Sequence, residues 1–431
     1  MIKNIKINKS IFGLVAIVPI LNLEIVKSFS ISLFGISFPG AYLFYLLIIF
    51  FWSVSNFKLI KFKTLNIFIV YEIYLLFLLI TDRKSVTSFI KETLVIILIF
   101  IFIQEINKNN FGLFTTKLYK KIFDISFILI VFLAAFQLVS LDYESMYSGV
   151  CYRLNGYMYH PLSLSMFFLI SYSRYLRSQN IVGIVISTYY ILFIQSRVII
   201  VALFIFTVIY LFSRKNNIQK LIKIIFCIAS SVLLLFITGF ILKQDEHKLC
   251  GTSLYYLNLG FEQSITSFGR TDIYSVENFN KEKLRESEFV ILDLENRITT
   301  FKYNNHAFEL PFEFLNGRGY AWSVFLFEMS IRDYQSNIFG NAEWKNEYPL
   351  MQVLDAHNEV LRLIFDNGII GLTLFSFIFF RLLNNTCVNK KQRIFLLLYC
   401  ALLFSLNPYF IYIYSTVILM QLIYETRESL K

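Results

Sequence analysis

The sequence predicts an all-α fold: a polytopic transmembrane helical bundle of about twelve spans, with one large extramembrane loop containing amphipathic helices. Three observations predict it. The chain is 57% apolar and 18% aromatic but only 16% charged, where soluble domains carry about 25% charged residues. Apolar runs long enough to cross ~30 Å of hydrocarbon at ~1.5 Å per residue recur along most of its length. Cations gather in alternate short loops between those runs, as they do on the cytoplasmic side of membrane proteins.

The runs fall at roughly 11–28, 31–53, 65–81, 90–104, 122–140, 161–173, 181–195, 198–212, 223–242, 364–383, 394–406 and 410–424. Residues 1–242 thus form an N-terminal bundle of about nine spans, 243–357 the large loop and 358–431 a C-terminal group of about three. The basic N-terminus precedes an apolar run without a small-residue cleavage site, so the first segment is expected to stay as a helix.

Charge sets the expected orientation. With the N-terminus inside, the inner loops hold Lys58, Lys61 and Lys63; Lys108, Lys117, Lys120 and Lys121; Arg174 and Arg177; Arg214, Lys215, Lys220 and Lys223; and Lys390, Lys391 and Arg393. The tail adds Arg427 and Lys431. Outer loops are poor in cations except 82–91, which carries Arg83, Lys84 and Lys91. Both termini are expected in the cytoplasm and the large loop outside. The loop 243–357 holds 11 Lys and Arg against 17 Asp and Glu, a net −6, which leaves +17 elsewhere in a chain of net +11. That dispersed positive charge belongs to short loops and forms no nucleic-acid module.

The loop is no linker: Trp322, Trp344 and many Phe and Tyr give it the means to fold. Its stretch 320–333 has an amphipathic helical pattern suited to a membrane surface. Five scattered Cys make no disulfide framework. Cys151 and Cys250 both fall in expected outer loops, where a disulfide and two independent thiols are alternative readings.

Four segments at the expected outer face carry candidate chemistry. Arg197 lies between two apolar runs at an expected tight outer turn; it either snorkels to the headgroups or serves a site. Arg153, Gly156, His160 and Pro161 precede a span, as ordinary loop polarity or as a grip on an anionic headgroup. Gly317-Arg318-Gly319 leads towards Trp322, and Gly269-Arg270 repeats the theme upstream; a Gly-rich turn into a helix suits an anion, and a solvated surface arginine is the alternative. The fourth runs Asp355-Ala-His357-Asn358-Glu359-Val-Leu361-Arg362, then Gly368-Ile-Ile-Gly371. Histidine matches proton transfer near neutral pH, and Gly368 and Gly371 allow close backbone packing or a break in the helix.

Several classes are disfavoured. There is no P-loop motif, and no HExxH or Cys/His cluster for zinc. Charges inside the expected spans are few, mainly Glu24, Glu72, Glu92 and Asp124, mostly near span ends. An ion-driven transporter would carry acids midway.

The fourth segment resembles the His-Asn-x-x-Leu…Gly-x-x-Gly-Leu pattern of the O-antigen ligase/polymerase superfamily, here His357-Asn358, Leu361, Gly368, Gly371 and Leu372. Gly317-Arg318 with Trp322 is similar to that family's Gly-Arg-x-x-x-Trp, and Gly340 to the glycine after it. Arg153, Gly156, His160 and Pro161 resemble its Arg-x-x-Gly…Pro-Asn element, and Ser196-Arg197 its Ser-Arg at a helix end. The four elements come in the family's order and cover about 150 to 375; before that only hydropathy matches. The chain departs in having Pro161-Leu162 for Pro-Asn, in lacking a second glycine two residues after Gly340, and in offering both Arg270 and Arg318 for one arginine.

The resemblance implies a metal-independent glycosyltransferase at the outer face of the inner membrane, with no cofactor and an undecaprenyl-pyrophosphate-linked oligosaccharide as substrate. It implies His357, Arg318 and Arg197 as catalytic, with Arg153, Arg270, His160, Asn358 and Trp322 binding pyrophosphate or sugar. Its partners would be the lipid bilayer and the chain-length regulator and flippase of the same pathway. O-antigen polymerase is the favoured member; a ligase acting on lipid A–core and a capsular-polysaccharide polymerase are the alternatives. A flippase or a scaffold are the readings from other classes.

Overall fold

The computed structural model of the 431-residue chain describes residues 20, 23, 30–33, 36–39, 44–47, 49–50, 62–107, 117–140, 154–158, 161–194, 196–213, 217–241, 290–293, 298–303, 306–311, 325, 329, 332–341, 359–386, 420–421 and 423–424. Apolar helices dominate, as expected of a membrane-embedded protein. They are α1 (Phe62–Ile80), α2 (Val86–Asn107), α3 (Lys117–Ser140), α4 (Pro161–Ser178), α5 (Ile181–Ile194), α6 (Arg197–Ser213) and α7 (Asn217–Ile241). After the large loop come α8 (Tyr334–Phe339) and α9 (Glu359–Thr386). Among the described residues, 4 helices are long and apolar enough to cross a membrane, within α2, α3, α7 and α9, and shorter apolar helices lie in α1, α5 and α6. Each expected run from 65–81 to 364–383 meets a helix. The run 394–406 and most of 11–28 and 410–424 lie outside the described residues.

Two small sheets add to this helical frame where only helices were expected. Ser30–Leu33 (β1) pairs antiparallel with Ile36–Pro39 (β2), at the start of the expected span 31–53. The sequence there alternates serine with apolar residues around Phe34-Gly35, the two-residue period of a strand. Helical residues in that span are described only from Phe44 onward. In the large loop, β3 (Val290–Asp293), β4 (Ile298–Tyr303) and β5 (His306–Pro311) form an antiparallel meander in that order. Its strands are rich in β-branched and aromatic residues, and the last pair runs in register from Ile298 opposite Pro311 to Tyr303 opposite His306. The amphipathic stretch 320–333 is described at Phe325 and Met329, both helical, and at Arg332 and Asp333, where the helical path has ended.

On α3 and α7 burial follows one stripe. On α3, Phe123, Phe127, Ile130 and Ala134 are buried, while Ile125, Ile128, Phe132 and Phe136 are exposed. On α7 the buried line is Ile224, Cys227, Ser231 and Leu235, and Ile218, Ile222, Ile225, Leu233 and Phe240 face outward. In water such apolar faces would drive aggregation; in hydrocarbon they are the correct exterior. Small residues let α7 approach α5 closely. The Ser231 hydroxyl donates to the Val185 carbonyl at 3.0 Å, and the Thr238 and Tyr189 hydroxyls meet at 3.0 Å.

α4 is the central helix, buried from Ser163 to Leu176. Phe167 and Phe168 pack against Phe123 and Phe127 of α3, and Phe168 stacks on Tyr190 of α5 at 4.6 Å. α1, α2 and α9 pack together, with α8 on α9.

Candidate functional site

The site is best built from the break in α9. Gly368 has φ 66° and ψ −177° inside an otherwise continuous helix. That region is open to glycine and almost no other residue. The break separates a short half-helix, opening at Glu359 directly after His357-Asn358, from the long apolar part that follows. Gly340, which ends α8, has a similar backbone (φ 80°, ψ 170°). The two glycines touch: a Cβ on Gly340 would lie 2.5 Å from the Gly368 nitrogen, and one on Gly368 would collide with the Ile338 carbonyl. The break and the close packing that the Gly368 position allowed therefore both occur.

Backbone groups released by the break find partners. The Phe365 carbonyl accepts the Asn341 N–H at 2.9 Å. The Tyr74 hydroxyl of α1 donates to the Asn367 carbonyl at 2.6 Å and also lies 2.9 Å from the Phe339 carbonyl, sharing one proton between them. Gly371, one turn on, leaves room for the Tyr74 ring, since a Cβ there would lie 3.1 Å from it.

Side chains lock the same point. Lys84, only 3% exposed, donates to Glu92 Oε1 at 2.8 Å and to Asn367 Oδ1 at 2.5 Å. Asn367 Nδ2 donates to Glu92 Oε2 at 2.9 Å and lies 3.2 Å from the Tyr71 hydroxyl. Ammonium, carboxylate and carboxamide close a triangle in which each supports the other two, the condition under which a buried polar network is tolerated. Arg83 reaches over it to the Gly340 carbonyl at 3.3 Å and to Gln335 Oε1 at 3.1 Å. The turn between α1 and α2 is thereby joined to α8 and α9.

The α8 side is equally built. Asp333 caps α8 by accepting the Ser336 N–H at 2.8 Å, and the Gly340 N–H closes its end on the Ser336 carbonyl. The Asp333 carboxyl is held below its ordinary range, first by its side-chain hydrogen bond with Ser336; burial opposes this, and the Ser336 N–H, Arg83 and Arg332 assist. Phe325 meets Phe365 edge-on at 4.8 Å, and the Arg332 guanidinium lies 4.6 Å from the same ring. Arg362 pairs with Asp366 at 2.7 Å one turn further along the half-helix.

The sequence-predicted residues are placed unevenly. Gly340, Gly368 and Gly371 come together at the break. Arg197 opens α6, with Ser196 buried just before it and accepting the Ile200 N–H through its carbonyl at 2.9 Å. α5 ends at Ile194 and α6 opens at Arg197; the Arg197 side chain lies outside the described residues. Gly156 sits at φ 59° in a turn clasped by Gln137 of α3, whose Oε1 accepts the Gly156 N–H at 2.7 Å. Leu23 makes an isolated antiparallel bridge to Met158 of that turn. His357, Asn358, Arg318, Trp322, Arg270, Arg153 and His160 lie outside the described residues.

Sequence reading missed the Lys84–Glu92–Asn367 triangle. Its signal was present in two halves: Glu92 among the few acids in a span, and Lys84 among the cations that broke the charge rule. Glu72 is an exception among span acids that mostly lie near ends: it stands midway along α1, where Thr93 of α2 donates to its carboxylate at 2.9 Å. No protein-family model matches the chain, and no curated protein matches it.

Proposed function

We propose that this protein is a membrane glycosyltransferase of the O-antigen polymerase type, acting on undecaprenyl-pyrophosphate-linked oligosaccharide repeats at the outer face of a bacterial inner membrane. The observation that supports it is the Gly340–Gly368 contact. In the resemblance these glycines belong to two motifs, one following Gly317-Arg318 and Trp322, the other following His357-Asn358. Their contact sets the segment that follows one motif against the segment that follows the other. The half-helix after His357 is also rigidly anchored through Lys84, Glu92 and Tyr74, which suits a group that must be held in register with its substrate.

In this reading an acceptor sugar hydroxyl attacks the anomeric carbon of the donor. The new glycosidic bond forms as the bond to pyrophosphate breaks, with inversion at that carbon. The hydroxyl proton passes to His357, a step that contributes about 10²–10⁴-fold. The lipid-linked pyrophosphate leaves with the electron pair, and its growing charge is met by Arg197 and Arg318, with Arg153 and Arg270 in support. Arginine suits this role because it stays charged and can grip phosphate oxygens in pairs. His160, Asn358 and Trp322 would contact the sugars.

A lipopolysaccharide gel from a strain lacking the gene tests the assignment. Lipid A–core bearing a single repeat unit is expected. Bare core with polymer accumulating on the lipid carrier would mean a ligase instead, and an unchanged ladder would remove the O-antigen reading. In the complemented strain, His357→Ala is expected to abolish the ladder at normal protein level. Full activity of that variant would eliminate His357 as the base.

A further inference from the structure

At the end of the bundle where α3 begins, α4 ends and α5 begins, a cavity of about 700 Å³ opens beside the central helix. The chemistry of its walls is divided along the helix axes. Lys120, Arg174 and Arg177, with Asp124 as the one carboxylate among the described lining residues, line the end nearest the helix termini. One to three turns deeper the walls are Phe127, Ile128 and Ile186. Ile128 is 67% exposed and belongs to the outward apolar stripe of α3. The cavity therefore opens towards lipid at its apolar part and towards the headgroup region at its cationic part.

Arg174 supplies a second, independent observation. It is 93% buried, being only 7% exposed. Its Nη2 donates to Asp124 Oδ1 at 3.1 Å and to the Lys120 carbonyl at 3.2 Å, and its guanidinium lies 4.6 Å from the Phe123 ring. Its Nη1 is buried without a hydrogen-bond partner among the described residues. A buried guanidinium nitrogen left without an acceptor is costly, and guanidinium is the side chain that best matches paired phosphate oxygens. A surplus of cations, an orphaned donor and an adjoining apolar wall suit one ligand chemistry: a phosphate with hydrocarbon attached.

We propose that this cavity binds the phosphate headgroup of an anionic glycerophospholipid, with Arg174 and Lys120 on the phosphate and the acyl chain along Phe127, Ile128 and Ile186. Under the orientation proposed above it is a lipid of the cytoplasmic leaflet. The binding itself stands independently of the glycosyl-transfer reading. It would seal the α3–α4–α5 junction and complete the hydrogen bonding of Arg174.

Native mass spectrometry of the purified full chain tests this with equal amounts of phosphatidylglycerol and phosphatidylcholine in the detergent. The wild type is expected to retain phosphatidylglycerol in preference. Lys120 is exposed, so K120Q keeps the fold and lowers that preference several-fold; the pair K120Q/R177Q lowers it about tenfold. Equal retention of the two lipids by the wild type would overturn the proposal, as would an unchanged preference in both variants. A third arm adds inorganic phosphate alone and reads thermal unfolding. Stabilisation equal to that from phosphatidylglycerol would assign the cavity to free phosphate and remove the lipid.

Discussion

Two buried cations, Lys84 and Arg174, solve the same problem in opposite ways. Lys84 sits at the α1–α2 turn with side-chain acceptors from two other positions at 2.5 and 2.8 Å. Its main partner, Glu92, is 11% exposed at the side chain. Arg174 sits at the end of α4, and its carboxylate partner, Asp124, is 51% exposed at the side chain. The first is a closed lock, nearly enclosed and mutually satisfied. The second leaves a donor unused beside an open cavity. A buried charge that is completed from within holds the structure; one completed only in part leaves room for a ligand.

The comparison is broken most directly at Lys84. Lys84→Met leaves Glu92 ionised and buried and strips Asn367 of a partner, which is expected to cost about 3–5 kcal/mol. Thermal unfolding in detergent would read it as a large drop. The double change Lys84→Met with Glu92→Leu removes both charges and should recover much of the loss. If the single and double variants unfold together, the triangle is not a coupled unit.

Next in size is the break itself. Gly368→Ala forces a side chain into a glycine-only backbone region, about 1–3 kcal/mol for the backbone alone, and sets a methyl against the Ile338 carbonyl. The expected signature is lower stability and, under the proposed function, loss of O-antigen polymerisation even in cells grown cool enough to restore protein level. Arg174→Leu follows at about 1–2 kcal/mol, since Asp124 can turn to water once its partner has gone. A loss as great as that of Lys84→Met would mean that the two cations are equivalent after all.

These differences also mark what the sequence could reveal. Apolar runs were legible because the bilayer sets their length and composition, and each helix from α1 to α7 and α9 meets an expected run; helix ends were less so, since polar first and last turns carry α3, α4, α7 and α9 beyond the apolar runs. The glycines of the break were legible as glycines, because no other residue takes that backbone. The exception to the charge rule at Arg83 and Lys84 was visible but had no local explanation. Its reason is Asn367 and Gly340, more than 250 residues away, and long-range pairing leaves no periodic trace. The β3–β5 meander escaped for a different reason. Runs of four to six residues are too short for a helical period and were read as loop until the strands paired.

The smallest expected effect lies at the α8 cap, and it carries its own control in pH. Asp333 accepts the Ser336 N–H at 2.8 Å and is exposed, so its worth is that of a surface helix cap, about 1 kcal/mol. Hydrogen exchange of residues 334–341 in Asp333→Ala should therefore rise about fivefold at neutral pH. The sign with pH follows from the carboxyl being held below its ordinary value in the folded protein. Such a group stabilises the fold above its unfolded pKa, and the contribution is lost as pH falls through the folded value. The gap between wild type and variant should thus be full at neutral pH and close only in acid, below the ordinary aspartate value of about 4. Because α8 carries Gly340 against the break in α9, a cap that loosened under acid would free the Gly340–Gly368 contact from one side while Lys84 still held it from the other. Exchange rising in 334–341 but not in the half-helix from Glu359 would separate the two supports; exchange rising in both would show that the contact depends on α8 as much as on Lys84.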